Sequence, residues 1–164
     1  MSIRDTSFAD PTTRFDAACR GVCRDQQPEF HRRFAADDIE TRATLEALSL
    51  ALREEGLDAE VISNAELILA EVLNNVVEHA YADGTGPVEI SVSILPDGLR
   101  CQVMDHGRPL PEGMLPPLAT PAAAPDSLPE GGFGWHIIRC LTSDLSYHRD
   151  GESNRLCLHV PWTD

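Results

Sequence analysis

The chain has 164 residues, 42% hydrophobic, 24% charged and 5% aromatic, the balance of a soluble globular domain rather than a disordered chain; at this length one domain is expected, burying about 70% of its unfolded surface. Thirteen Lys+Arg against 27 Asp+Glu give a formal net charge of −14, a field that repels phosphate backbones and anionic headgroups and argues against direct nucleic-acid or membrane-surface binding. All 13 cations are Arg, which excludes a P-loop lysine, a Schiff base and Ser–Lys catalysis.

Residues 1 to 28 show little periodicity and read as a poorly ordered or lightly docked extension. Met1 to Asp10 lacks a signal-peptide apolar core and no run nears the ~18 apolar residues of a membrane span, so a cytoplasmic protein is expected. Five scattered cysteines fit that reducing compartment. Cys19 and Cys23 sit near His31, but a Cys-x₃-Cys pair without a second ligand pair reads as ordinary thiols rather than zinc.

The domain is expected over residues 29 to 164. Phe30, Arg32 and Phe34 alternate with His31 and Arg33 as in a short strand. Asp37-Asp38 then supply an N-cap, and Ile39, Leu45, Leu48, Leu50 and Leu52 form an apolar helical surface that stops at Glu54-Glu55-Gly56. A second helix is expected from about Asp58 to Tyr81, with Val61, Ile62, Leu67, Leu69, Val72, Leu73, Val76 and Val77 inward. Val88, Ile90, Val92 and Ile94 alternate strictly, Pro96-Asp97-Gly98 turns, and Leu99, Cys101 and Val103 follow, which predicts a hairpin.

Between Arg108 and Glu130 stand seven of the 12 prolines, which excludes a regular helix or a central strand. A loop of this length inside a compact domain suggests a functional lid, expected over residues 108 to 131. Gly131-Gly132-Phe133-Gly134 opens a third helix that runs to about Leu141. Two closing strands are expected near Leu145 to His148 and Arg155 to Val160.

Three groups of residues carry possible chemistry. Glu71, Asn75 and His79 stand at i, i+4 and i+8, on one stripe of the second helix; alone, such a stripe is as readily a solvated face. Met104-Asp105-His106-Gly107 ends a buried strand, where a carboxylate can accept from an amine. Glycines at a helix start let backbone N–H groups approach an anion, though such a start is often only a tight turn. No His pair suited to zinc and no Gly-x-Ser-x-Gly elbow occurs. His136, His148 and His159 read as surface residues, Trp135 and Trp162 as packing.

In this order and spacing the three groups resemble the N, G1 and G2 boxes of the GHKL superfamily, the Bergerat-fold ATP-binding proteins. Glu71 to Tyr81 and Glu130 to Arg139 look most like the anti-sigma-factor serine kinases. The resemblance spans about Glu29 to Val160. It implies a two-layer α/β (α+β) sandwich, with a mixed, mostly antiparallel sheet and three helices on one face.

On that resemblance, Asp105 binds the adenine amine, Gly107 lets the base approach, and Asn75 gives its oxygen to Mg²⁺. Glu71 is the general base; Gly131, Gly132, Phe133 and Gly134 cradle the phosphates, with His79 close by. Arg108 is the lid's one cation for phosphate charge. Two positions depart from the family pattern: Pro109 replaces a glycine, and Ser153-Asn154 replaces Gly-Thr, with Asn154 able to hydrogen-bond beside adenine.

The function implied is ATP- and Mg²⁺-dependent phosphorylation of a serine on a STAS-type antagonist by an anti-sigma factor. Partner switching follows, with a sigma factor or another target as second partner, and a homodimer is implied. The alternatives are a non-catalytic ATP-gated binding module, and a detached histidine-kinase catalytic domain, which too short a segment before Glu29 disfavours. A topoisomerase- or chaperone-like ATPase is weaker still.

Overall fold

A computed structural model describes residues 27–117 and 133–162. The Cys19/Cys23 pair, nearly all of the extension expected over residues 1 to 28, and lid residues 118–132, with Gly131 and Gly132, lie outside the described residues.

Strand β1 (Phe30–Ala35) is the alternating segment predicted. Helix α1 (Asp38–Glu54) begins where Asp37, extended at φ −143°, accepts the Glu40 amide at 2.8 Å, a cap worth ~1 kcal/mol. It stops at Gly56, whose φ of +80° favours a residue without Cβ.

Helix α2 (Ala59–Asn75) buries Ile62, Ala65, Ile68, Leu69, Val72 and Leu73. The helix expected to continue to Tyr81 instead widens into a π turn over Val76–Ala80, with Tyr81 N donating to Val76 O at 3.0 Å. Such turns change the phase of the side chains that follow and recur at functional sites. His79 falls on this turn and is exposed.

The hairpin forms as predicted from β2 (Pro87–Leu95) and β3 (Gly98–Asp105). After α3 (Phe133–Leu141) come β4 (Asp144–Asp150) and β5 (Ser153–Pro161). The sheet order is β1-β2-β3-β5-β4. The mixed, mostly antiparallel sheet expected is antiparallel at every pairing.

Period-two alternation puts Val88, Ile90 and Val92, then Leu99, Cys101 and Val103, then Leu156, Leu158 and Val160 into one core cluster with α2 and Ile138 of α3. α1 packs on α2 and β1, and α3 packs on α2. The same alternation carries Asp105 and Asn154 onto the helix-covered face, directly opposite each other in the β3–β5 register. Two polar side chains therefore end two apolar rows.

Some expected core positions are outside. Ile39 is 81% exposed and Leu50 57%, and Leu67 is also exposed. The inward stripe of α1 runs through Thr41, Thr44, Leu48 and Leu52; residues two positions earlier stand about 200° round the helix and face away. His159, expected at the surface, is buried: Nδ1 lies 2.6 Å from Ser143 Oγ and Nε2 3.3 Å from Asp97 Oδ1. The hairpin turn and the link from α3 to β4 close over it. No described helix is long and apolar enough to cross a membrane.

Candidate functional site

A cavity of about 360 Å³ opens between α2 with its π turn, the ends of β3 and β5, the first turn of α3 and the lid root. Its walls are largely apolar, from Val72, Val76, Val103, Leu110 and Leu156, and a few polar groups converge on it, as in a small-molecule site.

At one end stands Asp105, only 5% exposed. Its Oδ1 accepts the Gly107 amide at 2.8 Å and Asn154 Nδ2 at 2.7 Å, while Oδ2 accepts from no described residue. Asn154 Nδ2 also donates to Arg108 O at 3.0 Å, and Asn154 Oδ1 accepts from Tyr147 OH at 2.6 Å and Arg149 Nη1 at 2.7 Å. Arginine can only donate, so the amide orientation is set by its partners.

The strand exit is stapled to the π turn. Arg108 N donates to Ala80 O at 2.8 Å, and a Cβ on Gly107 would lie 2.4 Å from that same oxygen. The missing side chain of Gly107 thus admits the Ala80 backbone. Tyr81 adds a clamp, donating to Pro87 O at 2.8 Å and accepting the His106 amide at 2.9 Å. Burial raises the Tyr81 phenol above its usual pKa; the His106 hydrogen bond opposes this and the Asp105 charge adds to it.

The other end is sparsely bonded. Asn75 lines the cavity, and its Nδ2 is buried without a partner. Glu71, one turn earlier on α2, does not line the cavity but lies against α3, where a Cβ on Gly134 would stand 2.7 Å from Glu71 Oε2. The Glu71 carboxylate thus reaches into the space that a side chain at position 134 would take. Phe133 is 62% exposed.

Asn75, His79, Asp105, Arg108 and Asn154 thus line one cavity. Glu71 and Gly134 meet each other beside it, and Gly131 and Gly132 lie outside the described residues. The Arg108 guanidinium pairs with Asp83 on the turn after the π segment.

Four residues entered the site without being singled out for it. Tyr147 accepts the Leu110 amide at 3.1 Å, Arg149 reaches Gly107 O at 2.9 Å, Arg139 of α3 holds Pro116 O, and Trp135 lines the cavity. Leu145, Tyr147 and Arg149 occupy every second position of β4 and share one face, so a periodic signal existed, but no motif marked it.

The amide of Asn75 makes no hydrogen bond among the described residues, and amide oxygen is a hard ligand of the kind Mg²⁺ takes. The unused Asp105 oxygen beside an apolar wall suits an amino-bearing heterocycle. The residues present fit both groups.

A family profile described as histidine kinase-like ATPase domain matches residues 34–160. Serine-protein kinase RsbW of Bacillus cereus (strain AH187) is 27% identical over 92 residues, covering 54% of this chain and 58% of that protein. RsbW of Bacillus thuringiensis (strain Al Hakam) is 26% identical over 92 residues, with the same coverage of 54% and 58%. The chain therefore spans a little over half the length of these curated relatives. The RsbU and RsbW domains of a Mycobacterium tuberculosis protein superpose with a TM-score of 0.58 at 19% identity, covering 83% of this chain and 32% of that one. A blue-light activated histidine kinase of Erythrobacter litoralis gives 0.50 at 24% identity, covering 73% and 41%. Both structures share the fold, and with the profile running from the end of β1 into β5 and taking in every residue of the cavity wall, the chain belongs to the histidine kinase-like ATPase domain family.

Proposed function

We propose that this domain is an ATP-dependent protein serine kinase that phosphorylates a STAS-type antagonist and works in the cytoplasm as an anti-sigma factor or related partner-switching regulator. The observation that carries the proposal is the pairing, beside one cavity, of an unpartnered Asn75 amide and a Glu71 carboxylate with no described hydrogen bond, opposite the unused oxygen of Asp105. The similarity to proteins named serine-protein kinase supports it.

In this function Asp105 accepts from the adenine amine, and Val103 and Leu156 wall the base. Asn75 holds Mg²⁺ through its amide oxygen; the ion supplies charge neutralisation at the phosphates. Glu71 takes the proton of the attacking serine hydroxyl, a role worth roughly 10²–10⁴ in rate. Gly131, Gly132, Phe133 and Gly134 offer backbone amides to the phosphates, and His79 stands at the rim. Arg108 reaches phosphate by leaving Asp83. Phosphorylated antagonist departs and the kinase, as a homodimer, takes up a sigma factor or another target.

Transfer of labelled γ-phosphate from Mg-ATP to a purified STAS-type partner, run beside Glu71→Ala, tests this. Label on a partner serine, lost in the variant, is expected. Tight ATP binding with no label favours a nucleotide-gated binding module, a reading that the position of Glu71 outside the cavity wall supports.

A further inference from the structure

Asn154 is 4% exposed at the end of β5, and its amide is saturated by protein. Both lone pairs of Oδ1 are taken by Tyr147 OH and Arg149 Nη1, and the two hydrogens of Nδ2 face Asp105 Oδ1, Arg108 O and, at 3.3 Å, Gly107 O. With its donors and acceptors occupied, it has nothing left for a ligand. Tyr147 OH donates to Asn154 and accepts from Leu110 N, so one hydroxyl joins the strand ends to the lid root. Arg149 repeats the link by bonding Gly107 O and Asn154 Oδ1 with one nitrogen.

We propose that Asn154, Tyr147 and Arg149 form a positioning relay: it holds Asp105 with Oδ1 occupied and Oδ2 left for the ligand, and fixes the lid root at Gly107, Arg108 and Leu110 to the same frame. Asn154 acts through Asp105 rather than touching the base. An acceptor fixed in this way prefers a purine edge bearing an amine over one bearing a carbonyl, because a carbonyl there would face a carboxylate with no proton between them. The relay thus sets the preference for ATP over GTP, an inference that rests on the adenine-site reading above.

Tyr147→Phe keeps the ring in the cavity wall and removes only the hydroxyl. In the nucleotide-free full chain, amide exchange by NMR should quicken about tenfold at Leu110 and at Gly107, the scale of one net hydrogen bond, with Ile90 and Val92 in β2 unchanged. Calorimetry on wild type, Tyr147→Phe, Asp105→Asn and the double variant should show the ATP-to-GTP affinity ratio falling several-fold in Tyr147→Phe. That loss should vanish in the Asp105→Asn background, as coupled sites require.

Unchanged exchange at Gly107 overturns the relay, and so does a Tyr147→Phe effect on ATP that persists in full without the Asp105 carboxylate. A wild type that binds neither nucleotide defeats the adenine reading instead; the exchange measurement, which needs no nucleotide, then decides the positioning role alone.

Discussion

The two ends of the cavity are built on opposite terms. At the Asp105 end one carboxylate oxygen, an amide, a phenol and a guanidinium satisfy one another across β3, β4, β5 and the lid root. At the Asn75 end an amide nitrogen is buried with no partner among the described residues, and the Glu71 carboxylate, without a described hydrogen bond, lies beside the backbone of Gly134. The first end has its geometry fixed before any ligand arrives, which lowers the ordering cost of binding. The second retains unpaired groups whose burial costs stability, and such groups mark where a ligand or reacting atom completes the structure.

The sharpest way to break this contrast is to remove proton acceptance at the open end. Glu71→Gln should slow phosphoryl transfer by roughly 10²–10⁴ while leaving ATP affinity within about twofold. Parallel losses in rate and affinity would put Glu71 in a binding role and dissolve the division of labour.

Next in size is Asp105→Asn at the closed end. Loss of a hydrogen bond to a charged group costs ~1.5–3 kcal/mol, so ATP affinity should fall roughly 10- to 100-fold by calorimetry. Unaltered affinity would remove Asp105 from the nucleotide.

Two asparagines then allow a direct comparison. Asn154→Ala orphans the groups it joins and should lower unfolding free energy by about 1–3 kcal/mol in a denaturant titration. Asn75→Ala removes an amide that bonds to nothing described, and should change stability by under about 0.5 kcal/mol while weakening Mg-nucleotide binding. Equal costs for the two would mean that the Asn75 amide has a partner in solution.

The smallest effect concerns Cys101, in the apolar row that ends at Asp105. Burial pushes its thiol up to about 12. A raised folded value means that its contribution is fully present below the unfolded pKa of about 8.5 and is lost as pH rises from there through about 12. Stability should therefore show no pH dependence from this group between pH 6 and 8 and should fall above about pH 8.5. A maleimide should label exposed Cys140 quickly and leave Cys101 protected; rapid labelling of Cys101 would show that the row opens.

Much of the scaffold was legible because its signals are local. The alternation from Val88 to Ile94 and the Asp37 cap act over a few residues, and both formed as predicted. Where the apolar surface of α1 would face was less legible. Ile39 and Leu50 are as apolar as Leu48 and Leu52, and only the direction of the sheet decides which pair is buried. The π turn was also hidden, since Val76 to Ala80 reads the same in either helical form. Its widening accompanies the tie of Ala80 O to Arg108 N, a contact 28 residues away along the chain.

By itself the sequence determined the elements, the apolar rows, the absence of lysine chemistry and the three motifs, because each is a matter of residue type and short spacing. Tertiary structure alone decided that Asn154 faces Asp105 rather than open space, that Gly107 makes room for Ala80 and Gly134 for Glu71, and that Tyr147 and Arg149 belong to the site. Those outcomes depend on strand register and helix crossing. Both are set by burying all the apolar rows at once, which no stretch of a few residues can encode.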